Sequence, residues 1–318
     1  MGRFLVRRLA GMVAVLFAVS VLVFLIFNVI PNADPARQMA GRSANPQLIA
    51  SITEEWGFDD PLPQQYLTMM GNIFTGEVIS YETEENVDER IIEGIPATFS
   101  LCVGAAVLWM FFGILFGYLS AVRAGGRLDR VLTVVAVAGI SIPVFWLAAI
   151  LLNYLTYQLA IFPSGDYVGL TENPLEWANH LILPWVTLAI VYVGFYSRVL
   201  RSNMLDAMDE DYVRTARAKG LGERRVMTRH VLRNSLVPII TLFGLDFGAL
   251  LGGAILVEGV FNLNGIGQYA YESLLNLDLP PIMAIVLFGA FFIVLFNALV
   301  DIAYAYLDPR VKLGSSAK

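Results

Sequence analysis

Residues 206 to 238 read DAMDEDYVRTARAKGLGERRVMTRHVLRNSLVP, a polar stretch set between two apolar ones. Packed helices are ordinarily joined by roughly 2–8 residues, so a connection this long needs a reason. Asp206, Asp209, Glu210 and Asp211 lie where acids complement the positive end of a helix dipole. The helix they start carries Tyr212, Val213, Ala216 and Lys219 and stops at Gly220, a glycine just past a cationic last turn. Gly222 and Glu223 then open a second helix running toward Pro238 and the next apolar stretch. The expected shape is two helices meeting at a Gly-Leu-Gly bend, within a loop spanning 200–234.

Composition says what the loop projects from. The 318 residues are 57% hydrophobic and 15% charged, with a mean hydropathy of +0.65. Soluble domains average about 45–50% apolar and about 25% charged. At roughly 1.5 Å per residue, about 20 apolar residues cross a hydrocarbon core of about 30 Å. Six stretches qualify: Leu9 to Ile30, Ala97 to Val122 after Pro96, Val131 to Phe162, Trp177 to Ser197, Ser235 to Val257, and Leu279 to Val300; the third is long enough that it must tilt, kink at Pro143, or run out along the interface through Tyr154, Tyr157 and Gln158. The first is longer than the apolar core of a secretory signal and reads as an uncleaved helix. Eighteen of the 21 cations fall on one side of this six-span arrangement, which places both termini and the 200–234 loop in the cytoplasm. The expected class is therefore an all-α integral membrane protein of the cell membrane, in contact with lipid. Its expected divisions are an N-terminal span (1–30), an outer segment (31–96), a five-helix membrane domain (97–307) and a cytoplasmic tail (308–318).

The outer segment holds 12 acids and 3 bases. Helical spacing recurs at Leu48, Ile49 and Ile52, and at Tyr66, Leu67, Met70, Ile73 and Phe74. It reads either as a small cap on the outer mouth or as a docking surface for an external partner, and is too short for a solute-binding domain.

Polar residues inside apolar stretches are costly. Asp246 sits near the middle of the fifth stretch, where an acid costs about 2.5–3.5 kcal/mol on insertion scales. It is a candidate cavity-lining carboxylate facing the amino group of a solute, or else a helix-packing or protonated acid. Asn297 and Asp301, four apart on the sixth stretch, share a face and either line the same path or bond a neighbouring helix. Gly248, Gly252 and Gly253, with Ala249 and Ala254, make one side of the fifth stretch small, for close helix packing or for a smooth permeation wall.

Several classes are excluded by the residues present. Cys102 is the single cysteine, which rules out an intramolecular disulfide, a zinc knuckle and a Cys-ligated cluster, and His180 and His230 are too few for a His-rich metal site, so no metal is expected. A net charge of −6 argues against nucleic-acid binding. No G-x-x-x-x-G-K-[ST] occurs, so ATP, if it drives the protein, is used by a separate subunit, and no cofactor is expected on this chain. Neither H-E-x-x-H nor G-x-S-x-G is present, which disfavours a membrane enzyme. A secondary transporter or channel would leave the long loop without a role, and the two halves of the chain show no clear internal repeat of the kind such folds often carry.

With these residues in view, the chain resembles the inner-membrane permeases of ATP-binding-cassette importers, in the dipeptide and oligopeptide group, over nearly its whole length. The loop resembles that family's coupling motif, E-A-A-x-x-x-G, aligned on Gly220. Arg214, Thr215 and Ala216 occupy its leading positions, so the Glu is absent, as is common in the peptide group. Other similar stretches are IPNADPARQMAG from Ile30, WGFDDPLPQQY from Trp56, GIPATFSL from Gly94, ISIPVFW from Ile140, GGAILVEGVFNLNGIGQ from Gly252 and LVDIAYAYLDPRVKL from Leu299. The resemblance implies a type I importer with a second, unlike permease subunit, two ATPase subunits and an extracytoplasmic solute-binding protein. It also implies that Arg214, Thr215, Ala216, Lys219, Gly220, Leu221 and Gly222 receive the ATPase stroke. Peptides are the implied cargo, with nickel complexes, glutathione and short saccharides carried by similar permeases.

Overall fold

Polar caps, prolines and glycines set where the helices begin and end. The computed structural model describes residues 2–26, 36–37, 40, 45–80 and 82–307. In the 31–96 segment Asn45 caps a helix start: its Oδ1 accepts the Leu48 N–H at 2.7 Å, and the helix closes at Gly57 in the left-handed region. Pro61 precedes the next helix, which closes at Gly76 in the same conformation. Asn86 Oδ1 accepts the N–H groups of Asp88 and Glu89 at 2.9 and 3.1 Å and opens the first long helix of the interior.

Among the described residues the order is α1 (Gly2–Phe24), α2 (Pro46–Trp56), α3 (Leu62–Thr75), α4 (Val87–Val122), α5 (Arg127–Ser141), α6 (Val144–Gln158), α7 (Pro174–Met208), α8 (Asp211–Ala218), α9 (Glu223–Leu251), α10 (Ile255–Phe261), α11 (Ile266–Asn276) and α12 (Leu279–Leu307). Their pairing with the six expected spans is uneven. Four helices, α4, α7, α9 and α12, are long and apolar enough to cross a membrane, and α5 with α6 makes a fifth if the bent pair is one crossing. The described apolar part of α1, Arg8–Phe24, is a shorter helix, and the end of the expected first span at residues 27–30 lies outside the described residues.

Two span ends differ from expectation for local reasons, and the third span takes one of its three expected courses. The second span starts at Val87 rather than after Pro96, because the Asn86 cap lies upstream and the helix runs on through the proline. The third is broken at Pro143, which has no N–H to give, and its halves are bent by 97°. The fifth ends at Leu251 instead of Val257: Gly252 and Gly253 interrupt it, with Gly253 at φ +117°, before α10 starts at Ile255.

The chain divides into two compact units, Met1–Phe99 with Phe247–Lys318, and Ser100–Asp246. In the first, the outer helices pack on their own unit rather than standing free. Ile52 and Met69 are buried with Val23, Phe24, Val87, Ile91, Ile266 and Met283 in one apolar cluster. The Ser20 and Tyr66 hydroxyls meet at 2.7 Å. In the second, α4 and α5 both pack along α7. A Cβ on Gly117 of α4 would lie 2.8 Å from Ser197 O of α7, so only glycine permits that approach.

Candidate functional site

The bend at Gly220 is formed by backbone geometry. Glu210 leaves α7 in an extended conformation, and the expected helix starts there, at Asp211, since Asp206 still belongs to α7. At the other end, the Gly220 N–H donates to Arg217 O at 2.9 Å and the Leu221 N–H reaches back to Ala216 O at 3.4 Å. This paired closure needs a left-handed residue at its centre, and Gly220 has φ +75°. Gly222 is different: at φ −60°, ψ 142° it is ordinary extended backbone leading into α9.

Below the bend, Val213 and Ala216 of α8 and Val226, Met227 and Val231 of α9 are buried, and α8 packs on both α9 and α7, where Leu200 and Met204 are buried too. A fully buried valine contributes roughly 1.5–3 kcal/mol, so α8 is keyed firmly to the helix on either side of it. The first turns of α9 widen to π-type hydrogen bonding over Val226–Leu232, and the Ser235 hydroxyl donates to Asn203 O of α7 at 3.2 Å.

The other face of the module is polar and outward. Arg214, Thr215, Lys219, Gly220 and Gly222 are exposed, and Leu221 is half-buried. Arg217 crosses the bend to Glu223 with two bonds, Nε–Oε2 at 3.2 Å and Nη2–Oε1 at 2.8 Å. Each holds the other in its charged form, Glu223 below its usual value and Arg217 above. Exposed pairs of this type contribute only about 0–1 kcal/mol, so the clasp shapes the bend more than it stabilises the fold. Arg224, Arg225 and Arg229 line an open concavity beside it with Thr228. Of the seven residues expected at this site, Arg214, Thr215, Lys219, Gly220 and Gly222 are thus exposed, Leu221 is half-buried, and Ala216 is buried on the packed face of α8.

The other expected residues are placed separately. Asp246, half-buried near the end of its unit, accepts the Tyr196 hydroxyl at 2.7 Å. Tyr196 is buried beside Trp109, which stacks on Tyr192 with ring centroids 4.6 Å apart. Asn297 is half-buried on α12 in the other unit, and the Asp301 side chain lies outside the described residues, as does the tail from 308. Just past the end of α9, a Cβ at Gly252 would lie 3.0 Å from the Gly289 backbone of α12, so the two backbones approach closely there.

Two carboxylates that the sequence did not single out are heavily bonded among the described residues. Asp129, in the first turn of α5 and ahead of the apolar stretch that begins at Val131, accepts both prongs of the Arg201 guanidinium at 2.7 and 2.8 Å. It also accepts the Gly125 N–H at 2.8 Å and the Ser120 hydroxyl of α4. The Arg201 guanidinium holds the buried carboxyl well below the usual carboxylate range. Glu258 of α10, fully buried, accepts the N–H groups of Ala254, Gly267 and Gln268 at 2.9, 2.8 and 3.3 Å and the Thr98 hydroxyl at 3.1 Å. Sequence carried a faint signal for it in the glycines at 265 and 267, whose spacing has no nucleotide-binding meaning.

Comparison with known proteins places these features in a wider set. Residues 113–313 match the family described as binding-protein-dependent transport system inner membrane component, and residues 1–102 match the N-terminal region described for the same membrane component. The chain is 37% identical to a probable peptide ABC transporter permease protein of Sinorhizobium fredii, covering 98% of this chain and 100% of that one. It is 38% identical to the glutathione transport system permease protein of Pectobacterium atrosepticum, covering 98% and 99%. A chain of the MetNI methionine ABC transporter, solved in inward-facing conformations, shares the fold with a TM-score of 0.57 at 15% identity, over 69% of this chain and 96% of that chain.

Proposed function

Because this chain belongs to the family of binding-protein-dependent transport system inner membrane components, we propose that it forms half of the path by which peptides enter the cell, driven by separate ATPase subunits. Permeases of this family are multi-pass membrane subunits and not themselves catalysts. The observation that carries the finer reading is the bend at Gly220. A projecting turn with exposed Arg214, Thr215, Lys219 and Gly220, keyed by Val213 and Ala216 to α7 and α9, is suited to receive a push from a partner and pass it into the long helices.

On this reading the termini and the 200–234 loop face the cytoplasm, where the cations lie. Two ATPases bind ATP and dock at residues 214–222 of this chain and of a second, unlike permease. A solute-binding protein delivers cargo to the outer face. Asp246, with Asn297 and Asp301 on α12, lines the path, the carboxylate meeting the amino end of a peptide. No cofactor is held by this chain. Glutathione, itself a tripeptide with a free amino group, is a second cargo supported by the 38% identical permease.

The test is gentle purification of the tagged chain from native membranes, identification of what accompanies it, and uptake by the reconstituted complex. Co-purification of an ATPase, a second permease and a binding protein, with peptide uptake that requires ATP, is expected. A chain that comes alone and carries solute without ATP would make it a secondary transporter.

A further inference from the structure

Three helices converge on one carboxylate at the end of the second unit that carries the bend. Asp129 belongs to α5, Ser120 to α4 and Arg201 to α7, and Gly125 lies in the turn between α4 and α5. Arg201 stands two turns before the end of α7, from which Asp209 and Glu210 lead straight into α8. The same three helices line an apolar cavity of about 250 Å³, with Phe116 of α4, Ala136 of α5 and Ser197 of α7 on its wall. Ser120 follows Phe116 and Arg201 follows Ser197 by four residues, and Asp129 precedes Ala136 by seven, so each continues the lining face of its own helix. The polar knot thus closes one end of a space the helices do not fill.

We infer that Asp129 is a positioning joint: its bidentate grip on Arg201 transmits movement of the α7–α8 segment to α4 and α5, so that a stroke at Gly220 moves three helices together. The inference rests on the importer reading above. Packing alone transmits a push, but a two-pronged ion pair fixes both distance and angle, and four donors from three helices and a turn hold this buried carboxylate where it is. A joint of this kind acts on coupling rather than on the ATPase reaction or on solute contact.

The experiment uses the assembled, reconstituted transporter and counts solute molecules imported per ATP hydrolysed, with thermal stability measured alongside. Asp129→Asn keeps the size and the acceptor for Ser120 but removes the charge; Arg201→Lys keeps the charge but removes the fork. Both are expected to lower the ratio at least fivefold while ATP hydrolysis continues. A ratio within twofold of wild type, even with a lowered unfolding midpoint, would overturn the joint and leave a merely structural pair. Should the Asn variant fail to assemble, Arg201→Lys decides by the same thresholds. Absence of ATP-dependent import in the wild type would instead overturn the importer reading, and this inference with it.

Discussion

Gly267 donates its N–H to Glu258 Oε2 at 2.8 Å, and a Cβ at Gly267 would lie 2.9 Å from Glu258 Oε1. The glycine therefore lets the carboxylate reach the backbone that it binds. Removing the carboxylate in Glu258→Ala orphans three backbone N–H groups at about 1–3 kcal/mol each. Gly267→Ala presses on rigid backbone at Ile255 N, 2.8 Å away. Both variants should lower the apparent unfolding midpoint by roughly 5 °C or more. Wild-type melting by both would show that the knot does not stabilise this unit.

Gly220 and Gly222 make opposite predictions although neither has a neighbour within 4 Å of a Cβ. Gly220→Val forces a β-branched residue to φ +75° at a cost of about 1–2 kcal/mol, and should uncouple uptake from ATP hydrolysis while insertion continues. Gly222→Ala, at φ −60°, should leave uptake within twofold of wild type. Equal behaviour of the two would remove the left-handed bend from the account.

Asp246→Asn keeps an oxygen for the Tyr196 hydroxyl and should leave the fold intact. If the carboxylate meets the amino end of a peptide, uptake of peptides with a free N-terminus should fall several-fold while N-acetylated peptides are unaffected. An equal change for both would make Asp246 a packing residue.

Much of this was legible because it is local. Apolar runs located α4, α7, α9 and α12, and the step from cationic turn to Gly220 located the bend, since a helix stop is written within a few residues. The start of α4 was also written locally, in Asn86 followed by Asp88 and Glu89, but Pro96 offered a competing start nine residues into the observed helix. The knots were not legible. Glu258 meets Thr98 from 160 residues away, and its other partners are backbone groups that have no letter in the sequence. Asp129 and Arg201 are 72 residues apart and look, one at a time, like ordinary flanking charges.

The Asp129 carboxyl is held low by Arg201, so the pair's contribution to stability is complete above the unfolded carboxyl value of about 3.9 and is lost as pH falls below it toward the lower folded value. The difference in unfolding midpoint between wild type and Asp129→Asn should be constant from pH 8 to pH 5 and shrink only in stronger acid. A difference that already shrinks between pH 7 and pH 6 would contradict the assignment.

The bend at residues 214–222 as the receiver of the ATPase stroke is tested most directly by placing a photo-crosslinker on it. Cys102 is buried, so Lys219→Cys offers the exposed thiol in the intact complex. Illumination is expected to join residue 219 to a co-purifying ATP-binding subunit, while the same label at exposed Leu175, at the start of α7, does not reach it. Labelling of lipid alone from residue 219, or equal capture of the ATPase from both positions, would contradict the account.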